Sequence, residues 1–279
     1  MASVYNRLTY RTPYCYPLTP ELLREAVTAK DGFDPAGFFV ACRDGSPLGF
    51  LHAGLIGEDR RTGSVFLFIA EDRDACYALL DAALDFFKRG GVTHCYTMSN
   101  LSLSNDYYAG VHMGYEVGLW SGFYQVCEVF RRRGFELIRE RFVMRRDLAE
   151  RPDEAVSDEA FELAVEPEPD TGSFYTNGAV VARDSGRCIG RCGYHMLTQV
   201  SRHFGRGIGQ ITMGVDEEYH GKGVGAAMLT RAHCELHDQG ARQVILTTNY
   251  AFYPAIRFYE KLGYRKELIH LPVYAAYFE

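Results

Sequence analysis

The 279-residue chain has one tryptophan, and none of its eight cysteines belongs to a C-x-x-C pair. That excludes the ligand spacing of a structural zinc site and the dithiol of a redox motif. Cys188 and Cys192 stand four apart on an expected strand, about 13 Å between Cα atoms, beyond the ~7 Å reach of a disulfide. The cysteines therefore read as free core thiols in a reducing cytoplasm. No apolar run reaches the ~18 residues of a membrane span, so no membrane partner is expected. The opening MASVYNRLTYR lacks the apolar stretch of a secretory signal, which also favours a cytoplasmic location. A basic excess is absent: 30 Lys and Arg stand against 36 Asp and Glu, a net charge of −6. Nucleic-acid binding needs a basic face, so none is expected. The one basic run, RRRGFELIRERFVMRR (residues 131–146), reads as a solvated helix end followed by a strand.

What is present suits a packed protein of about two domains at ~150 residues each. Hydrophobic residues make up 47% of the chain, with 18 phenylalanines and 19 tyrosines to fill cores. The chain also repeats itself. VACRDGSPLG (residues 40–49) and VARDSGRCIG (residues 181–190) each read as strand, tight polar turn, then strand, at an offset of 181 − 40 = 141. Each half then moves through a strand into an amphipathic helix that stops at glycine, and a further strand follows. FRRRGFELIRERFVM (residues 130–144) and YEKLGYRKELIHL (residues 259–271) end the two copies as helix, capping glycine, aromatic and strand. The expected fold is α+β, a mixed sheet flanked by helices, in two copies. The polar stretch LAERPDEAVSD places the division at residues 1–150 and 151–279. The first copy carries an additional aromatic-rich segment, residues 100–122, expected as a long ordered loop.

YHGKGVGAAMLTRA (residues 219–232) sets three glycines at the start of the second copy's helix. Glycine permits left-handed backbone and close approach of a ligand to the main chain. The first four N–H groups of a helix lack internal partners, and that end of the dipole is positive. Such a turn suits an anion, above all a phosphate. Two familiar phosphate motifs do not fit. The loose Gly221-x-Gly223-x-x-Ala226 match begins five residues after its strand, and no acidic residue follows the next strand to hold a ribose. Lys222 is followed by Gly223 and not by the Ser or Thr of a P-loop.

Two motifs in order carry a family resemblance. His220-Gly221-Lys222-Gly223-Val224-Gly225 resembles the Gln/Arg-x-x-Gly-x-Gly/Ala turn of the GNAT acyltransferase superfamily, with His220 in the Gln/Arg slot. Asn249 followed by AIRFYEKLGY resembles the family's second motif, a helix ending Tyr-x-x-x-Gly-Phe/Tyr at Tyr259, Gly263 and Tyr264. The likeness runs from about residue 179 to the C-terminus. It implies two tandem GNAT-like domains, the second catalytic. It also implies acetyl-CoA as acyl donor, a small-molecule or peptide amine as acceptor, and no metal. The implied donor-binding residues are Met213, Gly214 and Val215 for the pantetheine arm, and His220, Gly221, Lys222, Gly223, Val224, Gly225 and Ala226 for the pyrophosphate, with Asn249 beyond them. Tyr259 is implied as the general acid for the leaving thiolate. A backbone N–H near Val215 is implied as the oxyanion donor.

The repeat allows an internal comparison. EDRDAC (residues 71–76) falls over HGKGVG, so all three glycines are replaced, the carboxylates Glu71, Asp72 and Asp74 stand where a pyrophosphate would sit, and Phe130 falls over Tyr259. Carboxylates repel a pyrophosphate, so the N-terminal copy is expected to be degenerate and not to bind CoA. For the general base, His195 ranks first among side chains because an unperturbed imidazole suits the task. Glu217 and Glu218 could bind or deprotonate an amine, and water-mediated deprotonation needs no dedicated side chain. His233 and His237, four apart on a helix, could share zinc but read as an exposed face. Tyr175, Tyr250, Phe252 and Tyr253 are candidates for an acceptor pocket. A non-catalytic CoA-binding or regulatory protein is the alternative reading, and an interaction scaffold a third. Oligomeric state and acceptor identity are not legible.

Overall fold

The computed structural model describes residues 1–97, 107–153, 161–167 and 174–278. The first half runs α1 (Ala2–Thr9), α2 (Pro20–Leu23), β1 (Phe38–Arg43), β2 (Ser46–Ile56), β3 (Thr62–Ala70), α3 (Arg73–Arg89), β4 (His94–Thr97), α4 (Tyr124–Arg132) and β5 (Glu136–Asp147). The second runs β6 (Glu162–Pro167), β7 (Thr176–Asp184), β8 (Arg187–Met196), α5 (Thr198–Phe204), β9 (Ile208–Val215), α6 (Val224–Asp238), β10 (Gln243–Asn249), α7 (Tyr253–Lys261) and β11 (Arg265–Tyr277). The chain is thus of mixed α/β class.

Contacts divide it into two units, Met1–Arg141 with Ile269–Glu279, and Phe142–Leu268. This differs from a division at 150/151, because Ala275, Ala276 and Tyr277 of β11 pair antiparallel with Tyr96, Cys95 and His94 of β4. The end of the last strand therefore completes the first unit.

In the first unit β1–β2–β3 is an antiparallel meander and β4 lies parallel to β3. In the second, β6–β7–β8–β9 is antiparallel and β10 lies parallel to β9. The two opening hairpins match in detail. Asp44–Gly45 have φ of 50° and 76°, and Ser185–Gly186 have 50° and 83°. A two-residue hairpin turn of this type requires positive φ at both positions, which an Asp-Gly or Ser-Gly pair supplies. Both hairpins change register after the second pair from the turn, between Ala41 and Cys42 and between Ala182 and Arg183, again 141 residues apart.

The helices match as well. Val92 N–H bonds to Phe87 C=O at 3.1 Å and Ala241 N–H to Leu236 C=O at 2.8 Å, closing α3 and α6 in the same way. Phe135 N–H to Phe130 C=O and Tyr264 N–H to Tyr259 C=O, both 3.0–3.1 Å, close α4 and α7. Gly134 and Gly263 provide the left-handed turn there, with φ of 82° and 85°. One core gathers Leu51, Phe68, Leu79, Leu80, Phe87 and Phe130 around α3. The other gathers Cys192, Tyr194, Ile211, Met228, Leu229 and Tyr259 around α6.

Two expectations need correction. Cys42 and Cys188 are exposed, so not every thiol is a core thiol. His233 is fully buried, because position 233 falls beside Ala232 and Leu236 on the inward side of α6. Of the segment 100–122, residues 100–106 lie outside the described residues. The remainder is a loop of turns, in line with the expected loop, and it buries Tyr107, Tyr108, Val111, Met113 and Leu119.

Candidate active site

In the second unit two neighbouring parallel strands part before their ends. β9 pairs with β10 only through Gln243–Ile208, Val244–Gly209 and Ile245–Gln210 among the described residues. β9 then continues to Val215 and β10 to Asn249. Met213, Gly214 and Val215 are on this diverging stretch, held on their other side by Cys192, Arg191 and Gly190 of β8. Their backbone on the β10 side is where an extended ligand could add as a strand.

The helix mouth follows directly. Gly221 and Gly223 are left-handed, with φ of 78° and 84°, and neither has a heavy atom within 4 Å of where a Cβ would lie. Gly223 caps α6 without any side-chain hydrogen bond. The first internal bond of the helix is Ala227 N–H to Gly223 C=O, 3.0 Å. The N–H groups of Val224, Gly225 and Ala226 therefore face the mouth without helical acceptors. Val224 itself is buried and anchors this turn in the core. A Cβ on Gly225 would lie 3.4 Å from Phe258, 3.6 Å from Val215 and 3.7 Å from Met213, so the mouth and the diverging strand share one apolar wall.

His220 does not turn its ring toward the mouth. Its Nε2 donates to Val215 C=O at 3.0 Å, tying the loop back to the end of β9. Lys222 lies at the lip with its ammonium 4.8 Å from the Tyr219 ring. Asn249 accepts from Ala251 N–H at 3.0 Å through its Oδ1 and so shapes the loop leading into α7.

Tyr259 lies on α7, 8% exposed, with its ring 5.2 Å from Phe258 and 5.7 Å from Tyr264. It is one residue from Phe258 and so next to the wall of the mouth. The Tyr264 hydroxyl accepts from His233 Nε2 at 2.7 Å, while Arg146 donates to His233 Nδ1 at 3.1 Å. Burial, with Arg146 adding to it, pushes the His233 imidazole down to about 3. His233 is thus neutral and structural. Among the described residues no cluster of three or more His, Cys, Asp and Glu could hold a metal.

His195 falls elsewhere. On β8 it pairs with Gln210, whereas Gly190 pairs with Val215 at the mouth end. That is five residues, or about 17 Å, along the strand. Cys192 and Tyr194 pack in the core with Tyr259, so the alternation of a strand directs His195 to the other face. The ring is 2% exposed, its Nδ1 bonds Asn177 Oδ1, and burial pushes its imidazole down to about 3. Tyr175 is buried against it, ring centroids 5.9 Å apart. Tyr250, Phe252 and Tyr253 are exposed at the start of α7, Tyr250 stacked on Phe142 at 4.2 Å.

The first unit is built differently at the matching place. Asp72 caps α3, accepting from Ala75 N–H at 2.9 Å, and pairs with Arg43 at 2.9 Å. Glu71 pairs with Arg7 at 3.0 Å. Where β3 passes Val65–Thr97, its last pair with β4 among the described residues, the chain fills its own core. His112, Gly118, Leu119 and Phe123 close on β3, Thr97 and Phe130 around a cavity of only about 10 Å³. The Tyr5 hydroxyl, donating to Val111 C=O at 3.1 Å, and Cys15 Sγ, accepting from Met113 N–H at 3.4 Å, pin this segment in place. The segment's role as filling was not legible from its composition.

Residues 142–264 match the Acetyltransferase (GNAT) family. No curated protein matches the chain. Among solved structures, a GCN5-related glucosamine N-acetyltransferase region of a fungal multi-domain GH3 β-N-acetylglucosaminidase aligns over 99% of this chain at 15% identity and TM-score 0.70. The chain spans 36% of that protein. A tandem GNAT protein from the clavulanic acid biosynthesis pathway aligns at 14% identity and TM-score 0.67, covering 99% of this chain and 93% of that one. A GCN5-related N-acetyltransferase from Sphaerobacter thermophilus gives 14% identity, TM-score 0.63 and coverages of 99% and 92%. At these identities the likeness is one of fold.

Proposed function

We propose that this chain, whose residues 142–264 form a GNAT-family acetyltransferase domain, transfers an acetyl group from acetyl-CoA to a primary amine of a small-molecule or peptide acceptor. In this reading it is a cytoplasmic tandem protein with one active site, in the C-terminal copy. The observation that carries the reading is the uncapped glycine mouth of α6, set where β9 and β10 part. The N–H groups of Gly223, Val224, Gly225 and Ala226, with Lys222, would hold the pyrophosphate. The backbone of Met213, Gly214 and Val215 would hold the pantetheine arm.

The amine nitrogen attacks the thioester carbonyl, the new C–N bond forms, and the C–S bond breaks. A backbone N–H near Val215 would stabilise the oxyanion. The Tyr259 hydroxyl would give its proton to the thiolate. The amine's proton goes to water, and solvent returns a proton to the Tyr259 phenolate. His195, neutral and on the other face of the strand, is a poor base in this geometry. His195→Gln is therefore expected to leave the pH profile of kcat unchanged.

The alternative, a non-catalytic CoA-binding protein, is favoured by one observation, the burial of Tyr259 at 8% exposure. Calorimetric titration of acetyl-CoA tests the donor reading. One site per chain is expected, lost in Gly223→Glu, and the absence of binding would overturn it. Turnover over a panel of amines then separates enzyme from binding protein.

A further inference from the structure

In both copies the opening hairpin reaches the mouth of the long helix, and it does so through the same backbone bond. Glu71 N–H bonds Leu48 C=O, and Asp216 N–H bonds Ile189 C=O, each at 2.9 Å. The side chains at this junction are inverted in charge. Arg43 of the first hairpin neutralises Asp72, the carboxylate that caps α3. Asp184 holds the equivalent place in the second hairpin (184 − 43 = 141). It accepts from the Tyr219 hydroxyl at 2.6 Å. The Tyr219 ring in turn carries the Lys222 ammonium, 4.8 Å from its centroid. From the same hairpin, Arg187 bridges Asp216 and Glu218, both at 2.8 Å.

These contacts address a difficulty in the sequence. Asp216, Glu217 and Glu218 are three consecutive acids immediately before an anion-binding turn, and their field opposes an approaching phosphate. Arg187 offsets two of them. The Asp184–Tyr219 bond keeps Lys222 at the lip of the mouth when its four-carbon stem would otherwise leave it free to swing into solvent.

We propose that Asp184, Tyr219 and Arg187 are positioning residues for the donor's phosphates, acting through Lys222 and through the charge of the loop 216–218. The inference rests on the donor reading above. Because these side chains are solvent-exposed in part, each effect is modest, about two- to fivefold in affinity.

The test is calorimetric titration of CoA, with competition by pantetheine, which shares the arm and lacks the phosphates. Tyr219→Phe keeps the ring and removes the bond to Asp184, and Arg187→Gln removes the bridging charge. Both are expected to weaken CoA about two- to fivefold and to leave pantetheine unchanged. The Arg187→Gln deficit is expected to shrink at high salt, and Arg187→Lys to recover part of it. Equal losses for CoA and pantetheine would show a merely structural role and overturn the inference, as would unchanged CoA binding in both variants. Failure of the unmodified protein to bind CoA would overturn the donor reading itself, a separate outcome.

Discussion

Two helix mouths in this chain share a backbone framework and differ in what they offer a ligand. Both α3 and α6 follow a strand, end at an equivalent glycine turn and pack on an equivalent hairpin. The mouth of α3 is capped by its own carboxylate, which satisfies Ala75 N–H and sits in an ion pair with Arg43. The mouth of α6 begins two residues later in the repeat, because Lys222 and Gly223 are unwound where Arg73 and Asp74 are helical (offset 222 − 73 = 149). Unwinding half a turn at glycine bares N–H groups that the first copy covers. The clefts differ in the same sense, since one is filled by residues 107–123 and the other leaves the end of β9 without a pair on its β10 side among the described residues. A copy that caps its helix and fills its cleft gains stability, and the open copy keeps unsatisfied groups that a ligand can complete.

The largest effect expected from this difference is on turnover. Tyr259→Phe should lower kcat about a hundredfold, the lower range for a general acid, with acetyl-CoA affinity nearly unchanged. Phe130→Tyr, the reverse change in the first copy, should add no activity. Phe130 is fully buried and stacks on Tyr274 at 5.7 Å, so a hydroxyl there has no cleft to serve. Steady-state rates on any amine found in a screen would decide both. An unchanged kcat in Tyr259→Phe would remove the assignment, and new activity in Phe130→Tyr would show that the first cleft is open after all.

A smaller effect concerns acid, and here the copies should behave alike. Each buries two histidines. In the first unit burial pushes His52 down to about 3 and His112 down to about 4. In the second His195 and His233 are pushed down to about 3. An unfolded histidine protonates near 6.5, so below that pH the unfolded chain binds more protons than the folded one. Stability therefore falls as pH drops from about 6.5 toward the folded values. His52 is the cleanest test. Its ring sits among Phe33, Phe38, Phe66, Tyr107 and Tyr108, and its Nδ1 has no hydrogen-bond partner among the described residues. His52→Phe should flatten the pH dependence of the urea midpoint between pH 7 and 5 by about one proton. A slope identical to that of the unmodified protein would mean that His52 does not stay neutral in the fold.

What could be read from residues alone follows from how local each feature is. Asp44-Gly45, Ser185-Gly186, Gly134 and Gly263 specify turns by backbone conformation, so the hairpins and helix ends were legible. The glycine mouth was legible for the same reason. The direction of His195 was not, because it depends on which face of β8 meets α6, a tertiary matter. Nor was the burial of His233, whose partners Arg146 and Tyr264 are 87 and 31 residues away. The Asp184–Tyr219 bond spans 35 residues and joins two loops, a pairing no periodicity announces. Residues 107–122 carry aromatics without a helical or strand period, and their place in the first core follows from long-range bonds to Tyr5 and Cys15.

The smallest effect tests the capped mouth itself. Asp72→Ala removes the acceptor for Ala75 N–H and the partner of Arg43, and the usual cost of losing an N-cap is about 1 kcal/mol. Asp72 is partly exposed, so its ion pair adds little to that. The substitution also bares the α3 mouth and removes one of the charges that would oppose a phosphate there. If capping alone kept the first copy silent, Asp72→Ala would acquire a second CoA site in a titration. The expectation is a lowered urea midpoint and still one site. Residues 107–123 fill the cleft independently of the cap, and the backbone at 73 and 74 stays helical where the second copy is unwound. A second site appearing in this variant would show that a single carboxylate, and not the filled cleft, separates the two copies.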